Sequence, residues 1–163
     1  MSAAYLTGAV NPTHKPLTTH HYMIKYKKLP ENVLQLLPEV VDYLELHPKV
    51  LFAYLFGGLA KEKLQPLSDV DIAVYMAAGS LSLSDLKLDL LGKLIDILQT
   101  DEIDLVVLNT AELPLIMNVL KSKKVIVDRD PFARHIFESL TMRKFFDFSF
   151  IESAILQRRY MNG

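Results

Sequence analysis

The unbroken apolar run VLFAYLF, Val50 to Phe56, leaves a chain few choices. A segment this short, with aromatics among its aliphatics, reads as a strand, and with no polar face it must be covered on both sides. A second run, Val70 to Met76 (VDIAVYM), alternates instead. Val70, Ile72 and Val74 share one face. Asp71, Ala73 and Tyr75 share the other, with Asp69 just ahead of them, because strand side chains alternate.

The remaining elements follow from period and caps. In PENVLQLLPEVVDYLELHP, Leu34, Leu37, Val40, Val41 and Leu44 recur at helical steps. Pro38 predicts a short first turn and a helix restarting there, ending before Pro48. Ser82 and Asp85 form a capping box for a helix with Leu86, Leu90, Leu91, Leu94 and Leu98 on one stripe, stopping near Thr100. Ile103 to Leu108 (IDLVVL) is a third strand. Asn109 or Thr110 caps another helix, with Leu113, Ile116 and Leu120 inward, and Val125 to Val127 is a short strand. Asp130 and Pro131 start a final helix over 131–159, as N-cap and first helical residue, with a stripe of Phe132, Ile136, Leu140, Phe146 and Ile151. The order is that of a small mixed α/β or α+β domain with a long C-terminal helix.

At 163 residues the chain suits one domain, read as 23–163. Residues 1–22, with Gly8, Pro12, Pro16, His14, His20 and His21, read as a flexible N-terminal extension, and Met23 is an alternative start. With 18 basic and 19 acidic residues the net charge is −1, so no direct nucleic-acid binding is expected. The chain has no cysteine, which rules out disulfides and thiolate metal sites and fits a reducing cytoplasm. No apolar run reaches the length of a membrane span, and the start lacks the pattern of a signal peptide.

The chemistry concentrates around Asp69 and Asp71. Their Cα atoms lie about 7 Å apart on one strand face, so their carboxylates can converge. Converging carboxylates repel unless a hard cation sits between them, and Mg²⁺ binds through carboxylates together with substrate phosphates. Asp104 joins them if its strand neighbours the second in register, giving a two-metal phosphoryl-transfer site. Upstream, Gly57 and Gly58 form a turn where a phosphate can approach backbone N–H groups unobstructed. Lys61 can add a cation and Ser68 a hydroxyl. The Walker A pattern is absent. Gly-Gly and Ser-Asp are also ordinary turn residues, but Asp71 inside an apolar strand is costly unless paired or bound to metal.

Gly57-Gly58, ten residues, then Asp69-Val70-Asp71 resembles the nucleotidyltransferase signature Gly-Ser, ten residues, Asp-x-Asp. Ala60, Lys61, Ser68 and Ile72 extend the match, and IDLVVLN resembles the strand of the third carboxylate. Over roughly residues 30–160 the chain resembles the minimal nucleotidyltransferases (MNT), above all the MntA-type antitoxins of HEPN/MNT toxin–antitoxin pairs. The resemblance implies a polymerase-β-like nucleotidyltransferase core. It implies a Mg²⁺-dependent adenylyltransferase with two ions, ATP as substrate, and a tyrosine of a partner HEPN ribonuclease as AMP acceptor. Asp69, Asp71 and Asp104 would be the catalytic and metal-holding residues, and Gly57, Gly58, Lys61 and Ser68 would bind nucleotide. Gly58 stands where the signature has serine, and Glu62 where it has glycine. These departures admit a catalytically weak antitoxin acting by direct binding. In that case Phe145, Phe146, Phe148 and Phe150 supply the partner surface rather than core. A small-molecule, aminoglycoside-type nucleotidyltransferase is a further alternative, though the chain is short for one.

Overall fold

The computed structural model of the chain describes residues 29–30, 32–60, 69–77, 79 and 82–161. Residues 1–28, with the segment read as an N-terminal extension and its histidines, and the expected nucleotide residues Lys61 and Ser68 lie outside the described residues, as does Glu62. The elements run α1 (Val33–Leu46), β1 (Val50–Leu55), α2 (Gly57–Ala60), β2 (Val70–Met76), α3 (Leu83–Leu98), β3 (Ile103–Val107), α4 (Leu113–Ser122), β4 (Lys124–Asp128) and α5 (Pro131–Met161). Four strands form one mixed sheet in the order β3-β2-β1-β4. β1 is antiparallel to both β2 and β4, while β2 and β3 are parallel. The parallel pair needs a crossover, and α3 supplies it.

The two-faced burial read from VLFAYLF produces two cores. On one face Val40 and Leu44 of α1 and Leu90, Leu94 and Leu98 of α3 pack on Val70, Ile72, Val74 and Leu105. On the other, Ile116, Val119 and Leu120 of α4 pack on Phe52, Tyr54, Ala73 and Val106. Phe52, Tyr75 and Phe137 add a ring cluster there, with centroids 4.7 to 5.7 Å apart. The alternation of β2 thus sorts its residues as its sequence implies, and Asp71 falls on the α4–α5 face.

Three local features differ from the sequence reading. α1 is continuous through Pro38 rather than restarting there. Pro38 and Leu34 are both exposed, so the carbonyl that loses its partner at Pro38 is on the water side of the helix. Pro38→Ala should restore that bond and raise unfolding free energy by about 1–3 kcal/mol, read by urea denaturation. The N-cap of α4 is Glu112, not Asn109 or Thr110. Asn109 is otherwise engaged: its side chain accepts from Met76 N and donates to Met76 O, both at 2.8 Å, clasping the ends of β2 and β3.

The third difference is the way α5 faces. Its start is as expected, with Asp130 Oδ1 accepting from Ala133 N at 2.9 Å. The stripe assigned to its buried side instead meets solvent: Phe132 is 75% and Phe146 66% exposed, and Ile136, Leu140 and Ile151 are exposed too. What docks is Phe137, on Phe52 and Tyr75, together with a polar cluster. Tyr54, fully buried, donates its hydroxyl to Glu138 Oε1 at 2.7 Å. Lys123 forms an ion pair with the same carboxylate, and Arg134 bridges it to Asp128 at 3.1 and 2.9 Å. Burial pushes the Tyr54 hydroxyl far above its usual pKa, reinforced by its bond to Glu138. The helix's rotation is set by Phe137 packing on the sheet and by the need of Tyr54 and Lys123 for partners where they lie, rather than by the Phe132–Ile136–Leu140 spacing.

Burial alone would raise the Glu138 carboxyl, but hydrogen bonds from Lys123, Tyr54 and Arg134 and the Lys123 charge outweigh it and hold it below its usual value. A depressed carboxylate contributes stability above its unfolded pKa and loses that contribution as pH falls through its folded one. Glu138→Gln should therefore cost about 2–4 kcal/mol at neutral pH by leaving Lys123 uncompensated. The gap between variant and parent should narrow from about pH 4.5 downward, measured by urea unfolding across pH.

Candidate active site

β1 delivers the chain to the site. Phe56 N donates to Asp71 O at 3.0 Å, so the next residue, Gly57, leaves the sheet directly over the Asp71 side chain. Gly57 has φ +68°, the left-handed region that side chains disfavour. A Cβ added there would stand 2.0 Å from Asp71 Oδ2 and 2.8 Å from Asp71 Cγ. The glycine is thus fixed by backbone conformation and by the carboxylate beside it. Gly57 and Gly58 were read as a turn. They begin the single helical turn α2, whose Leu59 is buried.

The parallel register places Asp71 level with Asp104, as Val70 N donates to Glu102 O at 3.0 Å. Register partners on adjacent strands point their side chains to the same face, so Asp71 and Asp104 share one face, with Asp69 at the entrance to β2. Asp69 Oδ1 is shut off from solvent, whereas Asp104 is exposed. Among the described residues, no group of three carboxylate or imidazole side chains is placed to hold a metal ion. Asp104 instead lines a cleft of about 280 Å³ at the β3 edge, with Ser84 and Lys87 of α3 and Thr110 before α4. The pair Asp69 and Asp71 still offers the hard oxygen donors that suit Mg²⁺, which needs only one or two carboxylates beside substrate phosphates.

One residue at this corner was not among those read from the sequence. Ser122, the last residue of α4, accepts a hydrogen bond from Gly57 N at 3.3 Å through its Oγ. Nothing in LPLIMNVLKS marks that serine, since the contact joins segments 65 residues apart. A larger groove of about 610 Å³ lies away from the aspartates, between α4 and α5, lined by Tyr75, Leu113, Ile116, Phe132, Ile136 and Phe137 among others. Beyond it, Phe146, Phe148 and Phe150 are 66%, 56% and 77% exposed, so these rings are surface rather than core.

A family model described as "Polymerase beta, Nucleotidyltransferase" matches residues 39–132. No curated protein matches the chain. Among solved structures, a toxin–antitoxin crystal structure with AMP-PNP is 25% identical at TM-score 0.60, covering 76% of this chain and 94% of that one. A mutant of an MntA toxin–antitoxin pair is 28% identical at TM-score 0.56, covering 80% and 97%. A tri-AMPylated Shewanella oneidensis HEPN toxin in complex with MNT antitoxin is 25% identical at TM-score 0.52, covering 77% and 91%.

Proposed function

This chain belongs to the polymerase β nucleotidyltransferase family, and from that premise we propose that it is an MNT antitoxin that transfers AMP from ATP to a tyrosine of a partner HEPN toxin. The observation that carries the reading is the meeting of Gly57 with the Asp71 carboxylate, level with Asp104. Such contact brings a backbone turn for phosphate and acid groups for a cation to one point. The similarity to toxin–antitoxin complexes, one with AMP-PNP and one with an AMPylated toxin, supports ATP as donor and a HEPN protein as acceptor.

Each residue then has a role. The Gly57–Gly58 turn cradles the phosphates of ATP, with Lys61 and Ser68 contributing from the segment between α2 and β2. Asp69 and Asp71 would hold Mg²⁺ beside the nucleotide phosphates, and Asp104, level with Asp71, would complete the acid cluster. The cation would neutralise charge developing on the transferred and departing phosphates. The acceptor tyrosine enters along the Asp104 cleft. Its oxygen bonds to the α-phosphorus as the bond from that phosphorus to the bridging oxygen breaks, releasing pyrophosphate. Asp104 takes the hydroxyl proton, a task suited to a solvent-facing carboxylate within reach of the entering group.

Incubation with the HEPN partner, Mg²⁺ and ATP labelled at the α-phosphate should label the partner, and γ-labelled ATP should not. Label from neither position, with both proteins folded and bound to each other, contradicts transfer.

The exposed rings of α5 favour a second reading, neutralisation by direct binding alone. Large apolar surface left exposed on a helix marks a protein contact. An Asp69→Ala, Asp71→Ala double variant that still silences the toxin fully would establish it. A variant that binds the toxin without silencing it would exclude it.

A further inference from the structure

The turn Gly57–Ala60 reads Gly-Gly-Leu-Ala and carries no hydroxyl. A hydroxyl nevertheless stands against it. Ser122 Oγ accepts from Gly57 N at 3.3 Å, beside the residue whose backbone abuts the Asp71 carboxylate. We propose that Ser122 is a phosphate-binding residue of the nucleotide site, donating from α4 the hydrogen bond that the turn's own side chains cannot. This rests on the nucleotide reading above.

The hydroxyl has a hydrogen to spare. Its acceptor is the Asn118 carbonyl one turn back, at 3.4 Å, a long contact for an O–H donor. Asn118 O is also the helical acceptor of Ser122 N–H within α4, so it keeps a partner when the hydroxyl turns away and the release costs little. Ser122 is only half-buried, which leaves the O–H room to rotate. A phosphate oxygen is a stronger acceptor than a carbonyl because it is charged. Gly57 N–H can stay on the oxygen's lone pair while the hydrogen swings to the ligand, so the turn and the phosphate are held by one atom.

The surrounding charge agrees. Ser122 lies in the segment Lys121-Ser122-Lys123-Lys124, where Lys121 and Lys124 are exposed and Lys123 is paired to Glu138. Lys124 lines the α1 side of the sheet, so the positive potential beside Ser122, which favours a polyphosphate, comes from Lys121.

The test is calorimetric titration of ATP with Mg²⁺ into the full chain, with the ligand-free melting temperature taken alongside. Ser122→Ala should weaken binding by about ten- to a hundredfold, the range for a hydrogen bond to a charged group. Ser122→Thr should bind as the parent does. Adding Gly58→Ser to Ser122→Ala should recover most of the loss, by returning a hydroxyl to the turn. If Ser122→Ala does not fold, Ser122→Cys keeps the volume with a poor donor and should show the same loss. Unchanged affinity in the alanine variant overturns the proposal. So does a loss matched by a lower melting temperature and not recovered by Gly58→Ser, which would make Ser122 a structural clasp. No ATP binding by the parent overturns the nucleotide reading itself, and this inference with it.

Discussion

Asp71→Asn is expected to fold normally, to bind its partner, and to lose AMP transfer by at least about 10³-fold. The side chain is half-buried on the α4–α5 face, level with Asp104 and close behind Asp69. Asparagine keeps its shape and removes its charge. The loss of charge withdraws one of two hard ligands from the proposed cation site, and a neutral amide oxygen is a weak substitute. The measurement is initial transfer rate alongside melting temperature. A variant with near-parental rate would remove Asp71 from the chemistry. One that failed to fold would make its role structural.

Gly57→Ala should be nearly as damaging to activity and worse for stability. At φ +68° a side chain costs about 1 kcal/mol or more. The new Cβ would also stand 2.0 Å from Asp71 Oδ2, so the carboxylate or the turn must move. Displacement on the order of 1 Å at a phosphoryl-transfer site costs about a hundredfold in rate. We expect at least that loss, with about 1–3 kcal/mol of destabilisation. The double variant Gly57→Ala, Asp71→Ala separates the causes. Removing the carboxylate relieves the collision, so part of the stability should return while activity does not. If Gly57→Ala alone is as active as the parent, the close contact is not a functional constraint.

The spacing of Gly57, Asp69 and Asp71 was legible because it lies within one short stretch, where strand alternation fixes faces. The positions of the strands were legible for the same reason, to within a residue at their ends: β1 closes at Leu55 and β3 at Val107. Asp104 was legible only conditionally, since its alignment with Asp71 depends on two strands pairing in parallel across a crossover. The meeting of Ser122 with Gly57 was not legible, because it joins segments 65 residues apart. The rotation of α5 was misjudged for an instructive reason. Apolar spacing pointed Phe132, Ile136 and Leu140 inward, but the buried Tyr54 hydroxyl and Lys123 claim Glu138, and they turn the other side of the helix to the sheet. The stripe left outside is itself informative, since a surface with Phe132, Phe146 and Phe150 bare is suited to a partner. Pro38 was misjudged because a single lost hydrogen bond on a solvent-facing turn is cheaper than breaking a helix whose Val33, Val40 and Leu44 are all buried.

The decisive measurement is the intact mass of the HEPN partner after incubation with this protein, ATP and Mg²⁺, against the same mixture without nucleotide. A gain in whole AMP steps, absent with the Asp69→Ala, Asp71→Ala variant, is the predicted result. An unchanged partner mass, with the two proteins in a stable complex, would contradict AMP transfer and leave a binding antitoxin built on a nucleotidyltransferase frame.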